Sequence, residues 1–293
     1  MPHKSRRVLV VYKKSAYQLH VLERKDARLV QLLRRGHPDV VDMRQAHAVH
    51  QAALTSVVTN LKRLQATYAL VYRANLRTSA RYDLVVSVGG DGTFLQASHV
   101  VGDVPMLGVN SDPMRSEAVF CAATTDNLAR VLRQALAGQL AQQRLYRLHI
   151  RLNGRALTPL VLNDVLIAHD DPATLSRYRL KIGARQEDHK SSGLWIATAA
   201  GSSSAILAAG GQRLPWTAKQ FQYRPRELYE GRLSRARLTG GVLSMDQIVT
   251  VTWLMREGAV FIDGPHVRHP LRFGDRLVVT LSCAHPLRVL GLR

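Results

Sequence analysis

A single acidic residue, Asp91, stands among three glycines in the segment LVVSVGGDGTF, residues 84–94. The apolar run before the glycines predicts a buried strand, and the residues after them predict the start of a helix over Thr93–Val100. Glycines let the backbone turn tightly and approach a ligand, and free N–H groups at a helix start favour a phosphate. Asp91 is therefore a candidate to bind Mg²⁺ or to accept a proton from an attacking hydroxyl, as phosphoryl transfer requires.

The alternative for this segment is a plain tight turn, because Gly-Asp-Gly is common turn chemistry. Three glycines around one acid, between an apolar strand and a helix, favour a function. The segment is neither a Walker A loop, since no Gly-Lys-Ser/Thr follows, nor the GxGxxG dinucleotide fingerprint. A second polar cluster, His169-Asp170-Asp171, is interpreted as a loop and not as a metal site, since strand neighbours point to opposite faces.

The elements that must position Asp91 alternate between strand-like and helix-like patterns in the first half of the chain. The apolar runs are Val8–Tyr12, Leu84–Val88 and Pro105–Val109, and helical spacing covers Ala46–Leu64 and Thr125–Ala137, with Thr125 or Asp126 as N-cap and Gly138 beyond the end. Strands buried on both faces and alternating with helices indicate a parallel sheet covered by helices. We expect an α/β domain over residues 1–140.

The second half, residues 141–293, predicts a mostly antiparallel β domain. Apolar and polar residues alternate over Leu148–Leu152 and Tyr178–Ile182, and Asp263-Gly264 is typical of a hairpin turn. Ile248–Trp253 and Leu277–Leu281 are further apolar runs, and Arg224–Arg237 is predicted to be a loop. A return of the last residues to the first domain is left open.

Three more segments accompany GGDGT in a recognisable order and at recognisable distances. They are LGVNSDPMRSE (107–117), LNDVLIAHD (162–170) and KSSGLWIATAAGSSSAILAAGG (190–211). GGDGT alone occurs in a kinase superfamily that includes NAD kinases, diacylglycerol and sphingosine kinases and 6-phosphofructokinases. The combination resembles the NAD kinase family and is closest to its mitochondrial-type branch. The resemblance covers roughly residues 84 to 264, and the first 80 residues carry little of it.

The resemblance implies a two-domain NAD kinase-like fold, Asp91 as the catalytic residue, ATP and Mg²⁺ as cofactors and NAD as substrate. No firm metal ligand is implied, because Mg²⁺ travels with the nucleotide and Asp91 is its one candidate partner. The nucleotide-binding residues that it implies are Gly89, Gly90, Gly92, Thr93, Asn110, Arg115, Asn163, Asp164, Lys190, Ser192, Gly201, Ser202 and Ser203. For Arg115 a surface position is the alternative to a phosphate contact.

The sequence departs from the usual family pattern at several of these positions. Asp164 replaces a glutamate, Lys190 and Ser192 replace arginine and aspartate, and Ala205 replaces a tyrosine. An aromatic ring at residue 205 would pack on the dinucleotide, worth about 0.5–1.5 kcal/mol. We therefore expect altered affinity or substrate preference and no loss of chemistry, because Asp91 is untouched.

Composition and charge indicate which partners and which compartment to expect. Lys plus Arg number 41 against 21 Asp plus Glu, a formal charge of +20. This surplus is either a field that attracts anions or a property of the source proteome, because it is scattered along the chain. No apolar run approaches the ~20 residues of a membrane span, and the N-terminal run is too short for a signal peptide. We expect a cytoplasmic protein, a homodimer or higher oligomer, with nucleotide ligands, no membrane and no nucleic acid.

The expected reaction is transfer of a phosphoryl group from ATP to the 2′-hydroxyl of the adenosine ribose of NAD, giving NADP. Two alternatives stand beside it. One is a lipid kinase that shares GGDGT, and the other is a non-catalytic nucleotide-binding protein, supported by the charge and by the altered Ser203–Ala205 segment. NADH in place of NAD and polyphosphate in place of ATP are also open.

Overall fold

The computed structural model describes residues 6–229, 231 and 236–292. It divides the chain into two compact units, one of Met1–Gln143 with Arg288–Arg293 and the other of Arg144–Leu287. The first is an α/β unit and the second consists almost entirely of antiparallel strands, so the predicted fold class is confirmed.

The first unit is built on a parallel sheet in the order β2-β1-β3-β4-β5. Its strands are β1 Arg7–Tyr12, β2 Thr67–Tyr72, β3 Leu84–Gly89, β4 Met106–Asn110 and β5 Cys121–Ala123. All six residues of β3 and all five of β4 are buried, as expected for central strands covered on both faces. The chain returns to this sheet near its end, where Val289 pairs with Met106.

Helices cover this sheet. They are α1 Ala27–Arg34, α2 Pro38–Arg63, α3 Asp91–Ser98 and α4 Leu128–Leu136, with a π-helical segment at Tyr17–Glu23 and a 3₁₀ turn at Arg73–Asn75. The core between helices and sheet includes Val57 and Leu61 of α2 and Val131 of α4.

Three helix starts differ from the sequence-based expectation. Helix α2 begins eight residues earlier than Ala46, at Pro38, because proline is favoured at the first helical position. Helix α3 begins at Asp91 and not at Thr93, which places the carboxylate in the first turn. The N-cap of α4 is Asn127, whose side chain accepts the N–H of Thr124.

The second unit is a sandwich of two antiparallel sheets. One has the order β10-β9-β14-β17, with β6 and β7 joined to β17, and the other has the order β13-β12-β11-β8-β15-β16. The strands are β6 Gln142–Leu152, β7 Arg155–Ala156, β8 Asp164–Ala168, β9 Ser176–Ile182, β10 Arg185–Ser191, β11 Leu194–Thr198, β12 Gln220–Pro225, β13 Gly241–Ser244, β14 Val249–Trp253, β15 Gly258–Ile262, β16 Val267–Leu271 and β17 Arg276–Leu290, with one short helix, α5 Ala205–Ala208. Tyr178 and Trp253 from one sheet and Phe221 from the other fill the interior.

Two turn predictions in this unit can be compared with the structure. Asp263 and Gly264 both have positive φ and lie in the turn between β15 and β16, as predicted. The predicted loop Arg224–Arg237 is wrong at its start, because Arg224 and Pro225 are paired in β12. Residue 230 and residues 232–235 of that loop lie outside the described residues. Throughout the described ranges, no helix has the length and apolar character needed to cross a membrane.

Candidate active site

The glycine loop of the first unit, residues 89–92, connects β3 to α3 at the carboxyl edge of the sheet. A Cβ atom at Gly89 would collide with the Thr93 side chain, and a Cβ at Gly90 would lie 2.8 Å from the Ser116 hydroxyl. Side chains are therefore excluded where the backbone turns. The Thr93 hydroxyl is buried beneath the loop and has no hydrogen-bond partner in the described structure.

The Asp91 carboxylate is held by backbone groups. Its two oxygens accept the N–H groups of Val119, at 3.1 Å, and Phe120, at 2.9 Å. Burial raises the pKa of Asp91 above its ordinary value and Glu117 adds to the rise, while the two N–H groups partly offset it. Such a carboxylate is a better proton acceptor than an exposed aspartate, which is the requirement of a general base.

The loop that follows β4 stands over Gly90. Asn110 fixes it, because its side-chain amide donates to the Ser116 carbonyl at 2.7 Å and its Oδ1 accepts the N–H of Asp112 at 3.0 Å. Arg115 forms ion pairs with Asp42 of α2 and with Asp112. Asn110 is thus a support of the loop, and Arg115 ties the loop to α2 with its guanidinium already engaged by two carboxylates.

Sequence reasoning missed two cations beside the glycine loop. The parallel register pairs Tyr12 with Tyr72 and with Val88, so the next residues, Lys13 and Arg73, follow their strands at the edge where Gly89 ends β3. The Arg73 guanidinium lies 3.8 Å from the position of a Cβ at Gly92. The signal that could have identified β2, and hence Arg73, is the continuous apolar run within TYALVY at residues 67–72.

A buried histidine supports this edge. His50 of α2 is 1% exposed, its Nε2 lies 2.8 Å from the Lys13 carbonyl oxygen, and its Nδ1 lies 2.9 Å from the Ser111 hydroxyl. A carbonyl can only accept, so Nε2 donates and Nδ1 accepts from Ser111. Burial lowers the pKa of His50 to about 4, so the ring is neutral at physiological pH.

In the second unit, Asp164 is a 5% exposed carboxylate at the start of β8. One oxygen, Oδ2, accepts the Ser204 hydroxyl at 2.6 Å and the Asn163 amide at 3.0 Å. In the described part of the chain no hydrogen bond reaches Oδ1. Burial, assisted by Asp263, raises the pKa of Asp164 to about 6, although the Ser204 hydroxyl opposes the rise.

Asp263 of the β15–β16 turn holds the segment that carries Asn163 and Asp164. Its carboxylate accepts three consecutive backbone N–H groups, from Leu162 at 3.0 Å, Asn163 at 2.7 Å and Asp164 at 3.2 Å. The sequence predicted the turn correctly but placed no function on it, because a contact across about 100 residues leaves no local signal.

The segment after β11 closes against Asn163. Gly201 is required there because a Cβ would overlap the Asn163 backbone, and the Thr198 hydroxyl bridges the Leu162 carbonyl and the Gly201 N–H. The structure thus brings together Asn163, Asp164 and Gly201, which the resemblance singled out, and adds Ser204.

Ser202 and Ser203, also implied by the resemblance, differ from Asn163 and Asp164 in their contacts and exposure. The Ser202 hydroxyl is buried and bonded to the Ala199 carbonyl and the Leu214 N–H, so it shapes the turn. Helix α5 begins at Ala205, and the residues before it form turns. Ala205 is exposed, and Ser203 is half-buried.

Lys190 lies in β10 and Ser192 directly follows that strand, and within the described residues no hydrogen bond joins their side chains to Asn163 or Asp164. Lys190 lines a cavity of about 710 Å³ together with Leu175, Tyr229 and Phe273. No group of three or more His, Cys, Asp or Glu side chains in the described chain could hold a metal ion. In the segment His169-Asp170-Asp171, the Asp170 carboxylate forms an ion pair with Arg268.

The chain is similar to several known proteins. The model of the ATP-NAD kinase N-terminal domain matches residues 9–140. A probable NADH kinase of Oryza sativa subsp. japonica is 36% identical over 265 residues, 83% of this chain and 81% of the relative. An NADH kinase of Arabidopsis thaliana is 33% identical over 257 residues, 79% of this chain and 80% of that one. The fold matches an NAD kinase from Archaeoglobus fulgidus in complex with ATP, with a TM-score of 0.67 and 20% identity over 98% of this chain and 94% of that chain. With relatives this similar over most of its length, the chain belongs to the NAD kinase family.

Proposed function

We propose that this protein transfers the terminal phosphoryl group of ATP to the 2′-hydroxyl of the adenosine ribose of NAD, giving ADP and NADP. The observation that carries the proposal is Asp91, a half-buried carboxylate with a raised pKa at the glycine loop of a parallel sheet. Family membership supports a kinase that uses ATP and a dinucleotide, and it argues against the lipid kinase alternative.

The proposed step breaks the bond between the terminal phosphorus and the oxygen that bridges it to the second phosphate. A bond forms between that phosphorus and the 2′-oxygen, and the hydroxyl proton passes to Asp91. The electron pair of the broken bond leaves with ADP. Little covalent chemistry falls to the protein in such a transfer, so orienting the hydroxyl and stabilising charge are its main tasks.

Asn163 and Asp164 are proposed to bind the dinucleotide. Asp164 offers one carboxylate oxygen, Oδ1, because Oδ2 is already occupied by Ser204 and Asn163. A carboxylate oxygen accepts a ribose hydroxyl in dinucleotide-binding sites generally. Asp263 fixes the backbone of this segment, so the pair is held in place before the ligand arrives.

Magnesium is proposed to arrive with the nucleotide. Mg²⁺ at nucleotide sites is usually held by one or two carboxylates plus the substrate phosphates, so the lack of a multi-residue cage among the described residues is compatible with it. Asp91 is the carboxylate at the loop, and one lone pair on each of its oxygens is used by a backbone N–H. Bound there, the ion would neutralise phosphate charge.

NADH is a second candidate acceptor, because both plant relatives are named as NADH kinases. The exposed Ala205, where the usual family has tyrosine, is compatible with a different preference at the dinucleotide. We also propose that the protein works in the cytoplasm. We propose further that it is a homodimer or higher oligomer, and light scattering on purified protein would test this oligomeric state.

The test is a steady-state assay of phosphorylated dinucleotide with NAD or NADH as acceptor and ATP or polyphosphate as donor. We expect turnover with ATP, and Asp91→Asn should lower kcat by about 10²–10⁴-fold, as loss of a general base does. Asp91→Asn keeps one acceptor oxygen for the N–H groups of residues 119–120, so thermal unfolding should confirm that it folds. Turnover within about threefold of the wild type would exclude Asp91 as the base.

A further inference from the structure

Lys13 and Arg73 are positioned alike, although they are far apart in the sequence. Each follows the last paired residue of a parallel strand, Tyr12 of β1 and Tyr72 of β2, and these two residues are register partners. Tyr12 also pairs with Val88, the residue before Gly89. Both cations therefore lie beside the glycine loop at the carboxyl edge, where open α/β sheets bind their ligands.

Within residues 6–229, 231 and 236–292, neither side chain has an anionic partner. Among the described residues, no carboxylate lies within ion-pair distance of Lys13 or Arg73, whereas the neighbouring Lys14 pairs with Glu23 at 2.8 Å and also lies over the Tyr72 ring. Arg115, the other cation near the loop, is engaged by two carboxylates.

Two cations that share a partly buried edge repel each other. Burial and the field of Arg73 lower the pKa of Lys13, and Asp112 only partly offsets the fall. His50 meanwhile fixes the Lys13 backbone through a 2.8 Å hydrogen bond to its carbonyl, so the chain holds the lysine in this place. An anion that touches both cations would relieve the repulsion, and the glycine loop beside them is open to a phosphate.

We propose that Lys13 and Arg73 together bind the terminal phosphate groups of the donor triphosphate, with Arg73 at the phosphoryl group that is transferred. This inference rests on the proposed kinase function. Arg73 is assigned to the transferred group because its guanidinium approaches Gly92, the residue directly after Asp91. A planar guanidinium matches phosphate oxygens and stabilises the charge that develops as the bond to the leaving oxygen breaks.

The test compares Arg73→Gln and Lys13→Gln with Lys14→Gln, a control that removes the neighbouring cation. We expect the KM for ATP to rise by about 10- to 100-fold in both test variants. In Arg73→Gln, kcat should fall by about 100-fold or more, and Arg73→Lys should restore part of it. The KM for the dinucleotide should stay within about twofold, and Lys14→Gln should resemble the wild type.

Direct titration separates this inference from the proposed function. The wild type should bind ATP and ADP more tightly than AMP, and Arg73→Gln and Lys13→Gln should reduce that difference while leaving AMP binding unchanged. This readout stands even if the wild type phosphorylates no dinucleotide. Unchanged ATP affinity and kcat in both variants would overturn the inference. So would a rise confined to the KM of the dinucleotide, which would assign the cations to its pyrophosphate. Arg73→Lys serves as the informative variant if Arg73→Gln does not fold.

Discussion

Asp164 shows at the residue scale how a buried charge can oppose folding. Its carboxyl has a pKa raised to about 6, because it is buried and faces Asp263. A raised pKa means that the folded state prefers the protonated acid, so its contribution to stability is complete below about pH 4 and is lost as the pH rises through about 6. The ionised group therefore costs the folded state about 3 kcal/mol at neutral pH.

The expected consequence concerns Asp164→Asn. This variant should be more stable than the wild type by about 2–3 kcal/mol at about pH 8, and the difference should vanish near pH 4. Urea unfolding at several pH values measures it, with Asp39→Asn, an exposed position in α2, as a matched control. The NAD affinity of the same variant should fall. A variant that is less stable than the wild type at every pH would contradict the account.

At the element scale, His50 of α2 joins two segments at the carboxyl edge of the parallel sheet. The ring joins the end of β1, through the Lys13 carbonyl, to the loop after β4, through Ser111. Its pKa is lowered to about 4, so the stability it contributes is present above about pH 6.5 and is lost as the pH falls towards 4, when the buried ring must protonate.

We therefore expect His50→Ala to destabilise the protein by about 2–4 kcal/mol at about pH 8, because a carbonyl and a hydroxyl lose their partner and a cavity forms. The deficit should shrink as the pH is lowered to about 4. Chemical denaturation gives the free energies, and the KM for ATP should rise because Lys13 loses its support. A deficit that grows on acidification would show that the ring is charged in the folded protein.

Features that depend on residues close together in the sequence could be predicted, and features that depend on residues far apart could not. The strand, glycine loop and helix around Asp91 depend on local sequence and were predicted, although the helix begins at Asp91, two residues before the predicted start. The Lys13–Arg73 edge depends on the register of three strands, and one of them, β2, was not assigned. The contacts of Asp164 with Ser204 and Asp263 join residues 40 and 99 positions apart, and no local pattern encodes them.

At the scale of the whole molecule, the last residues belong to the unit that begins the chain. Val289 pairs with Met106 of the parallel sheet, and Leu290 lies in the core of the first unit. The Gly291 N–H donates to the Ala141 carbonyl at 2.8 Å, and the Gln143 amide donates to the Leu292 carbonyl at 3.1 Å. The first unit therefore needs both ends of the chain.

A chain that stops after Leu287 should lose about 5–9 kcal/mol from the first unit, because the buried side chains of Val289, Leu290 and Leu292 are removed. The point variant Leu290→Ala should lose about 2–5 kcal/mol, which separates core packing from strand pairing. Denaturant unfolding followed by hydrogen exchange of β3 and β4 would locate the loss. Unaltered protection of these strands in the truncated chain would contradict this division of the molecule.

The central claim is that the protein places a phosphate on the adenosine ribose of a nicotinamide dinucleotide. Phosphorus NMR of the reaction of purified protein with ATP, Mg²⁺ and NAD or NADH tests it most directly. We predict a new phosphomonoester resonance that coincides with the 2′-phosphate of authentic NADP or NADPH and is absent with Asp91→Asn. Binding of both nucleotides without any new phosphomonoester, or a phosphate at another position of the dinucleotide, would contradict it.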